Sequence, residues 1–452
     1  MEKKSIWILI FSLLILTVLS ILTYIEDNIA ILFTSIIYIS IGILFSLIIN
    51  NFKDIRNSIY IFLLFFLVYL LYTIFVHYGA SEVYNTPYIK SDESSFYAES
   101  NNVFLKLKYG YTFFELDRIY KEGTAAVYLY GLVATLANYF GENSILVLKI
   151  SVIFIGSLIP VLMYNLSRLY LSEKISITVA IIYGFFSFVP YLSSVLLRDV
   201  HVALVFLIAI YIVLQRLTFL NFIIFILISF ISYYLRPQTG LFMMGFMVVP
   251  FFVFVRKMVT NKYIEIFLYL ILTTIITIIV LNSDLMSVYN ETANSSGNKP
   301  TVEKASGMGA KIAELPTPIN TIAMFGYGQM QPFPPSWLFK GHNKGIFQIS
   351  YLISGIVWFI GWGFLLYGLF KKKILSKVDL KLKLMFFISI LYLILIASIS
   401  FGMRRQMSVY PVLYLFMVFS YLEMNVTERT KIWVGMSFFY IILVLIINYL
   451  KL

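Results

Sequence analysis

The chain has 452 residues, of which 60% are hydrophobic and only 12% charged, and its mean hydropathy is +0.89. An ordinary soluble domain carries about 25% charged residues and is excluded, so the formal net charge of +12 points to basic loops facing anionic lipid rather than to nucleic acid. Cysteine is absent, which excludes disulfides, thiolate metal sites and cysteine nucleophiles.

Apolar runs of about 20 residues, enough to cross a bilayer as a helix, recur from end to end. In chain order they fall at 5–24, 29–50, 57–78, 146–168, 174–192, 200–216, 218–235, 240–256, 263–282, 346–370, 383–401, 407–424 and 432–450. The first is too long for a signal-peptide core and lacks a small-residue cleavage site, so it is expected to be retained as a span. The expected fold class is all-α: a polytopic integral membrane protein, one transmembrane domain over 1–452 with about 13 spans.

Two stretches, 79–145 and 283–345, are long and polar. The second begins with the Gly/Ser/Asn-rich "NETANSSGNKPTVEKASGMG" and continues into "FGYGQMQPFPPSWLFKGHNKG", whose prolines and aromatics suit a segment lying on the membrane, with Phe333 and Trp337 as interfacial anchors or as a stacking surface for a sugar ring. With the N-terminus cytoplasmic, the connections "FKDIR", "SRLYLSEK", "RKMVTNK", "KKKILSKVDLKLK" and "TERTK" all fall inside and both long stretches outside, the positive-inside pattern. Residues 125–141, "AAVYLYGLVATLANYFG", would invert every later basic loop if they crossed. They are expected to be an interfacial or re-entrant helix in the first large extracytoplasmic loop.

On this topology four charged clusters share the extracytoplasmic face. Asp92-Glu93 stands in "SDESSFYAES"; a carboxylate there can act as general base toward a sugar hydroxyl or ligate a divalent cation, and equally can be a solvated acid on a loop. Arg198-Asp199 occupies a tight turn in "SSVLLRDVHVALVF". Ionised groups at membrane depth mark sites or pathways, though a structural ion pair, with Asp199 favoured at a helix start, explains the same residues. Arg236 in "LRPQTG" and Arg404-Arg405 in "FGMRRQ" offer planar donor forks for phosphate oxygens, or snorkel to lipid headgroups. His201 reads as a structural histidine and Lys149 as a snorkelling lysine. No phosphate loop, dinucleotide fingerprint, HExxH or GxSxG occurs, so a donor on that face has to be delivered by the membrane.

These features resemble the GT-C superfamily of polytopic glycosyltransferases. The resemblance rests on an acidic motif of the D-E-x-x-x-Y type (Asp92, Glu93 and Tyr97), on the interfacial stretch ending in "YFGEN", and on a helix that runs through Pro190 to a polar turn. "FGMRRQMSVYPVLYLF" is similar to helix starts of surface-polysaccharide enzymes, including polymerases of the Wzy type. Many GT-C enzymes carry a longer soluble C-terminal domain, whereas these residues end in a span. The resemblance implies transfer from a polyprenyl-phosphate-linked sugar to a glycan acceptor at the cell membrane. Asp92, Glu93, Arg198 and Asp199 would then be catalytic, and Tyr97, Arg236, Arg404 and Arg405 would bind substrate. No cofactor is implied apart from a divalent cation, whose ligands stay unknown. The alternative from another class is a lipid-linked oligosaccharide flippase or other polysaccharide transporter.

Overall fold

The computed structural model describes residues 2–50, 55–89, 91–111, 115, 124–215, 218–258, 312, 315–316, 319–330, 343–397 and 403–451. Every regular element among them is helical. The expected span 263–282, most of the second long loop and the Pro-rich stretch before Trp337 lie outside the described residues.

Six helices are long and apolar enough to cross a membrane, over Lys4–Ile25, Ala30–Ile49, Ile55–Tyr84, Ile145–Arg168, Ile346–Phe370 and Val426–Ile446. This is an all-α membrane protein, but thirteen full-length spans are not what its described helices show. The expected span 174–192 divides at Ser187, with Pro190 in the first turn of a five-residue helix. The run 240–256 is interrupted by a 3-10 turn, Gly245–Met247. The run 407–424 opens as another, Met407–Val409, before a 13-residue helix. A 13-residue helix covers about 20 Å, short of the roughly 30 Å hydrocarbon core. Hydropathy reads such runs as unbroken because proline and 3-10 geometry leave apolar content unchanged.

The chain forms two compact units, Met1–Leu207 with Pro334–Val357, and Ile208–Phe333 with Trp358–Leu452. In the first, α1 (Glu2–Ile25), α2 (Ala30–Ile49), α3 (Ile55–Tyr84), α4 (Ser91–Lys108), α5 (Thr124–Phe140), α6 (Ile145–Arg168), α7 (Glu173–Phe186) and α8 (Val189–Ser193) precede the start of α9 (Asp199–Leu214). Helix α6 is the core: 94% of its apolar window is buried, and α2, α3, α5, α7 and α8 all pack on it, which suits a helix apolar all round. Ser144 caps its start by accepting from the Val147 N–H. Helix α2 approaches α3 closely at Gly42, where a Cβ would lie 2.1 Å from the Phe62 ring, so only a residue without a side chain admits the ring.

The first unit has two polar ends. At one, Lys4 Nζ donates to Asn57 Oδ1 (2.5 Å), Asn57 Nδ2 donates to Tyr164 Oη (3.0 Å) and Glu173 Oε1 (2.8 Å), and Lys4 pairs with Glu173 at 3.3 Å. At the other, the Asn28 side chain accepts from the Ala30 and Glu142 N–H groups and donates to the Glu142 carbonyl, and Phe33 stacks on Phe140 at 4.9 Å. The connections expected to share a face thus meet at one end of this bundle.

In the second unit α9 is followed by α10 (Phe219–Leu235), α11 (Pro237–Met244), α12 (Val248–Met258), α13 (Ile319–Gln329), α14 (Ile349–Phe370), α15 (Ile374–Lys377), α16 (Leu380–Ala397), α17 (Met403–Gln406), α18 (Tyr410–Leu422) and α19 (Val426–Lys451). Its basic connections gather at one end: Lys372 pairs with Glu428 at 2.9 Å, Lys377 with Glu423 at 2.5 Å, and Lys381 donates to the Gln215 carbonyl. Only 6% of the apolar window of α19 is buried, as expected of a helix facing lipid.

Candidate functional site

The site is built at the Asn28 end of the first unit, from α4 upward. Asp92 and Glu93 occupy the first turn of α4, where the positive end of the helix dipole favours them. Successive helical residues point about 100° apart, so the two acids cannot both face the bundle. Glu93 faces in, its side chain fully enclosed, while Asp92 is exposed.

Glu93 accepts from the Ile89 N–H through Oε1 (2.9 Å), folding back over the first turn in the manner of a capping box, and from the Leu196 N–H through Oε2 (3.1 Å). The same Oε2 lies 3.2 Å from Lys149 Nζ, and that ammonium also donates to the Pro87 carbonyl at 2.9 Å. Lys149 therefore does not snorkel. It sits in the second turn of α6 with no exposed side-chain surface, its charge met by a carboxylate within ion-pair distance. Three backbone segments are tied at this ion pair: the Pro87–Ile89 turn, the start of α6 and the turn at Leu196.

Leu196 stands two residues before Arg198, which is half-buried, and three before Asp199, which is 4% exposed and opens α9. Tyr130 of α5 closes the group. Its hydroxyl donates to the Leu197 carbonyl at 2.9 Å, and its ring meets His201 edge-on at 5.4 Å and Phe96 at 6.1 Å. Burial, and then the carboxylates of Asp199 and Glu93, push the Tyr130 hydroxyl well above its ordinary pKa, so it remains a proton donor. Tyr97 lies on the half-buried side of α4, its ring 6.5 Å from that of Tyr88, whose hydroxyl is also raised, first by burial and then by Tyr97 and Glu93. Sequence reasoning passed over Tyr130 and misjudged Lys149. The signal for the lysine was present, since a charge within a helix of such hydropathy is costly unless paired.

The arginines Arg236, Arg404 and Arg405 belong to the second unit. Arg236 is at once the last cap of α10 and the first of α11, in extended geometry (φ −161°, ψ 107°), and its carbonyl accepts from the Thr239 hydroxyl (2.7 Å) and the Thr239 and Gly240 N–H groups. The corner is this sharp because Gly240 has no side chain: a Cβ there would lie 2.4 Å from the Tyr233 backbone. Arg404 and Arg405, both half-buried, lie on the four-residue α17. Neutral hydrogen bonds fix that helix: Tyr392 Oη donates to the Arg405 carbonyl (3.0 Å), Gln329 Nε2 to Gln406 Oε1 (2.6 Å), and Trp358 Nε1 to Gln329 Oε1 (3.1 Å). Trp358 stacks on Tyr410 at 3.7 Å. Phe242 of α11 packs on the same Tyr392 at 4.6 Å, so the helix after Arg236 and the helix carrying Arg405 share one contact residue.

The structure thus brings Glu93, Lys149, Tyr130 and Asp199 together within the first unit, with Asp92 on the outer side of the same helical turn as Glu93 and Arg198 on the turn that Glu93 and Tyr130 hold, and links α11 to α17 within the second. Among the described residues no group of three or more His, Asp or Glu side chains is gathered to hold a metal ion. Compared with models of known families, with curated proteins and with solved structures, the chain matches none of them.

Proposed function

We propose that this protein is a membrane glycosyltransferase or polymerase. It takes a sugar from a polyprenyl-phosphate donor on the extracytoplasmic face of the cell membrane, with its N-terminus in the cytoplasm, for assembly of a surface polysaccharide or glycan. The observation that carries this reading is the bond from the Leu196 N–H to Glu93, which holds an exposed carboxylate, Asp92, on the same scaffold as the turn bearing Arg198. An accessible base and a guanidinium on one rigid scaffold suit transfer from a phosphate leaving group.

In this reading Asp92 takes the proton of the acceptor hydroxyl as its oxygen bonds the anomeric carbon. The polyprenyl phosphate departs with the electrons of the old carbon–oxygen bond, its charge stabilised by Arg198. Asp199 orients Arg198 from the helix start. Arg236, Arg404 and Arg405 are assigned to the lipid phosphate on chemistry alone, guanidinium forks being matched to its oxygens, and Tyr97 to the sugar.

Deleting the gene should abolish one surface glycan and accumulate a lipid-linked intermediate. Asp92→Asn should lower transfer from that intermediate by about a hundredfold or more, the usual cost of losing a group aimed at the reacting atoms, with normal expression. Near-normal glycan in the Asp92→Asn strain removes the assignment. Movement of the intermediate across the membrane, with no glycosidic bond formed, would select the transporter reading instead.

A further inference from the structure

We propose that Glu93 and Lys149 are a positioning pair, whose buried ion pair sets where the α4 start and the Arg198 turn stand relative to each other. The inference rests on the transferase reading only for the identity of the reaction.

Three observations carry it. First, both side chains are fully enclosed, and the Glu93 oxygens already accept from two backbone N–H groups and an ammonium. A general base needs an accessible lone pair within reach of the proton it takes, and Asp92, exposed on the same turn, is the group that offers one. Second, the pair bonds the backbone of connecting segments: Pro87 and Ile89 before α4, and Leu196 before Arg198. The pair therefore fixes the paths of those segments. Third, Tyr130 fastens the neighbouring Leu197 carbonyl from α5, so the turn carrying Arg198 is held at two successive residues from two helices. Because Glu93 Oε2 is shared between Lys149 and Leu196, loss of the lysine releases the restraint on the turn as well.

The test compares wild type, Glu93→Gln, Lys149→Met, the double variant Glu93→Gln/Lys149→Met, and Glu93→Asp. Each is the full chain in lipid, assayed with the lipid-linked intermediate isolated from cells lacking the gene. Each single neutralisation leaves one buried charge unpaired and should lower the melting temperature sharply. The double variant has no buried charge and should regain stability, since replacing both partners is often neutral. With Pro87 released and a single amide oxygen left to serve both the Ile89 and Leu196 N–H groups, its kcat should still fall about 10- to 100-fold, the cost of a displacement near 1 Å, with KM little changed and the pH profile of kcat unmoved. Glu93→Asp keeps the charge but is one methylene too short to reach both Ile89 and Leu196, and it should behave likewise in a folded protein.

Full recovery of kcat together with stability in the double variant would reduce the pair to scaffold and overturn the proposal. Loss of the acidic limb of the kcat profile in the double variant, with the limb retained in Glu93→Asp, would overturn it in the other direction, making Glu93 a reacting group. If Asp92→Asn transfers sugar normally, it is the transferase assignment that fails, and the melting temperatures still report on the pair.

Discussion

The turns that carry the candidate charged residues are fastened differently in the two units. In the first unit the scaffold is itself ionic: Glu93 and Lys149 cancel inside the bundle and tie three backbone segments. In the second, the elements bearing Arg236, Arg404 and Arg405 are fixed by neutral means, a glycine notch at Gly240 and a chain of amide and indole hydrogen bonds through Gln329, Gln406 and Trp358. A charge in a membrane protein can thus be the fastener or the group being fastened, and sequence neighbours can differ in this, as buried Glu93 and exposed Asp92 do.

Neutralising one member of an ionic fastener should cost most. Lys149→Met leaves the Glu93 carboxylate buried without its cation, a loss of about 3–5 kcal/mol, read as a collapse of the monodisperse size-exclusion peak after mild heating. A variant as stable as wild type would break the contrast between the units. Gly240→Ala comes next: its Cβ drives into the Tyr233 backbone, where no rotamer change relieves the clash, and overpacking of this kind costs about 1–3 kcal/mol. Its melting temperature should fall, whereas Gly245→Ala, with open space around its Cβ position, should be tolerated.

Gln406→Leu should cost up to about 3 kcal/mol by stranding the buried Gln329 amide, checked by the same melting assay. Loss of binding to lipid vesicles carrying a phosphate headgroup would follow if the network also orients Arg404 and Arg405. The smallest effect belongs to Glu173. Hydrogen bonds from Asn57 and then Lys4 hold its carboxyl below the ordinary carboxylate range, so its contribution is present above an unfolded pKa of about 4.3 and is lost as pH falls through the folded value. Wild type should melt slightly above Glu173→Gln at pH 7, and the difference should close on acidification below pH 4. A gap independent of pH would mean that Glu173 acts by packing alone.

Much of the architecture was legible in the chain. The alternation of basic and polar connections predicts which segments share an end, and within each unit those segments meet: Lys4 with Asn57 and Glu173, Asn28 with Glu142, Lys381 with Gln215. Of the candidate site, the acidic pair and the Arg198 turn were visible as charges where charge is expensive. Span lengths were less legible, because Pro190 and the 3-10 turns break helices without altering their hydropathy.

What the sequence by itself determined is the membrane-embedded helical class and which connections gather at a common end within each unit, since both follow from local sums of hydropathy and charge. Only the tertiary structure decided that Glu93 turns inward while Asp92 turns out, that Lys149 is paired instead of snorkelling, and that Tyr130 joins the Arg198 turn. The energy of a charge in a low-dielectric bundle depends on what lies within about 4 Å of it. Those neighbours, Pro87, Ile89 and Leu196 among them, come from segments up to 103 residues away in the chain.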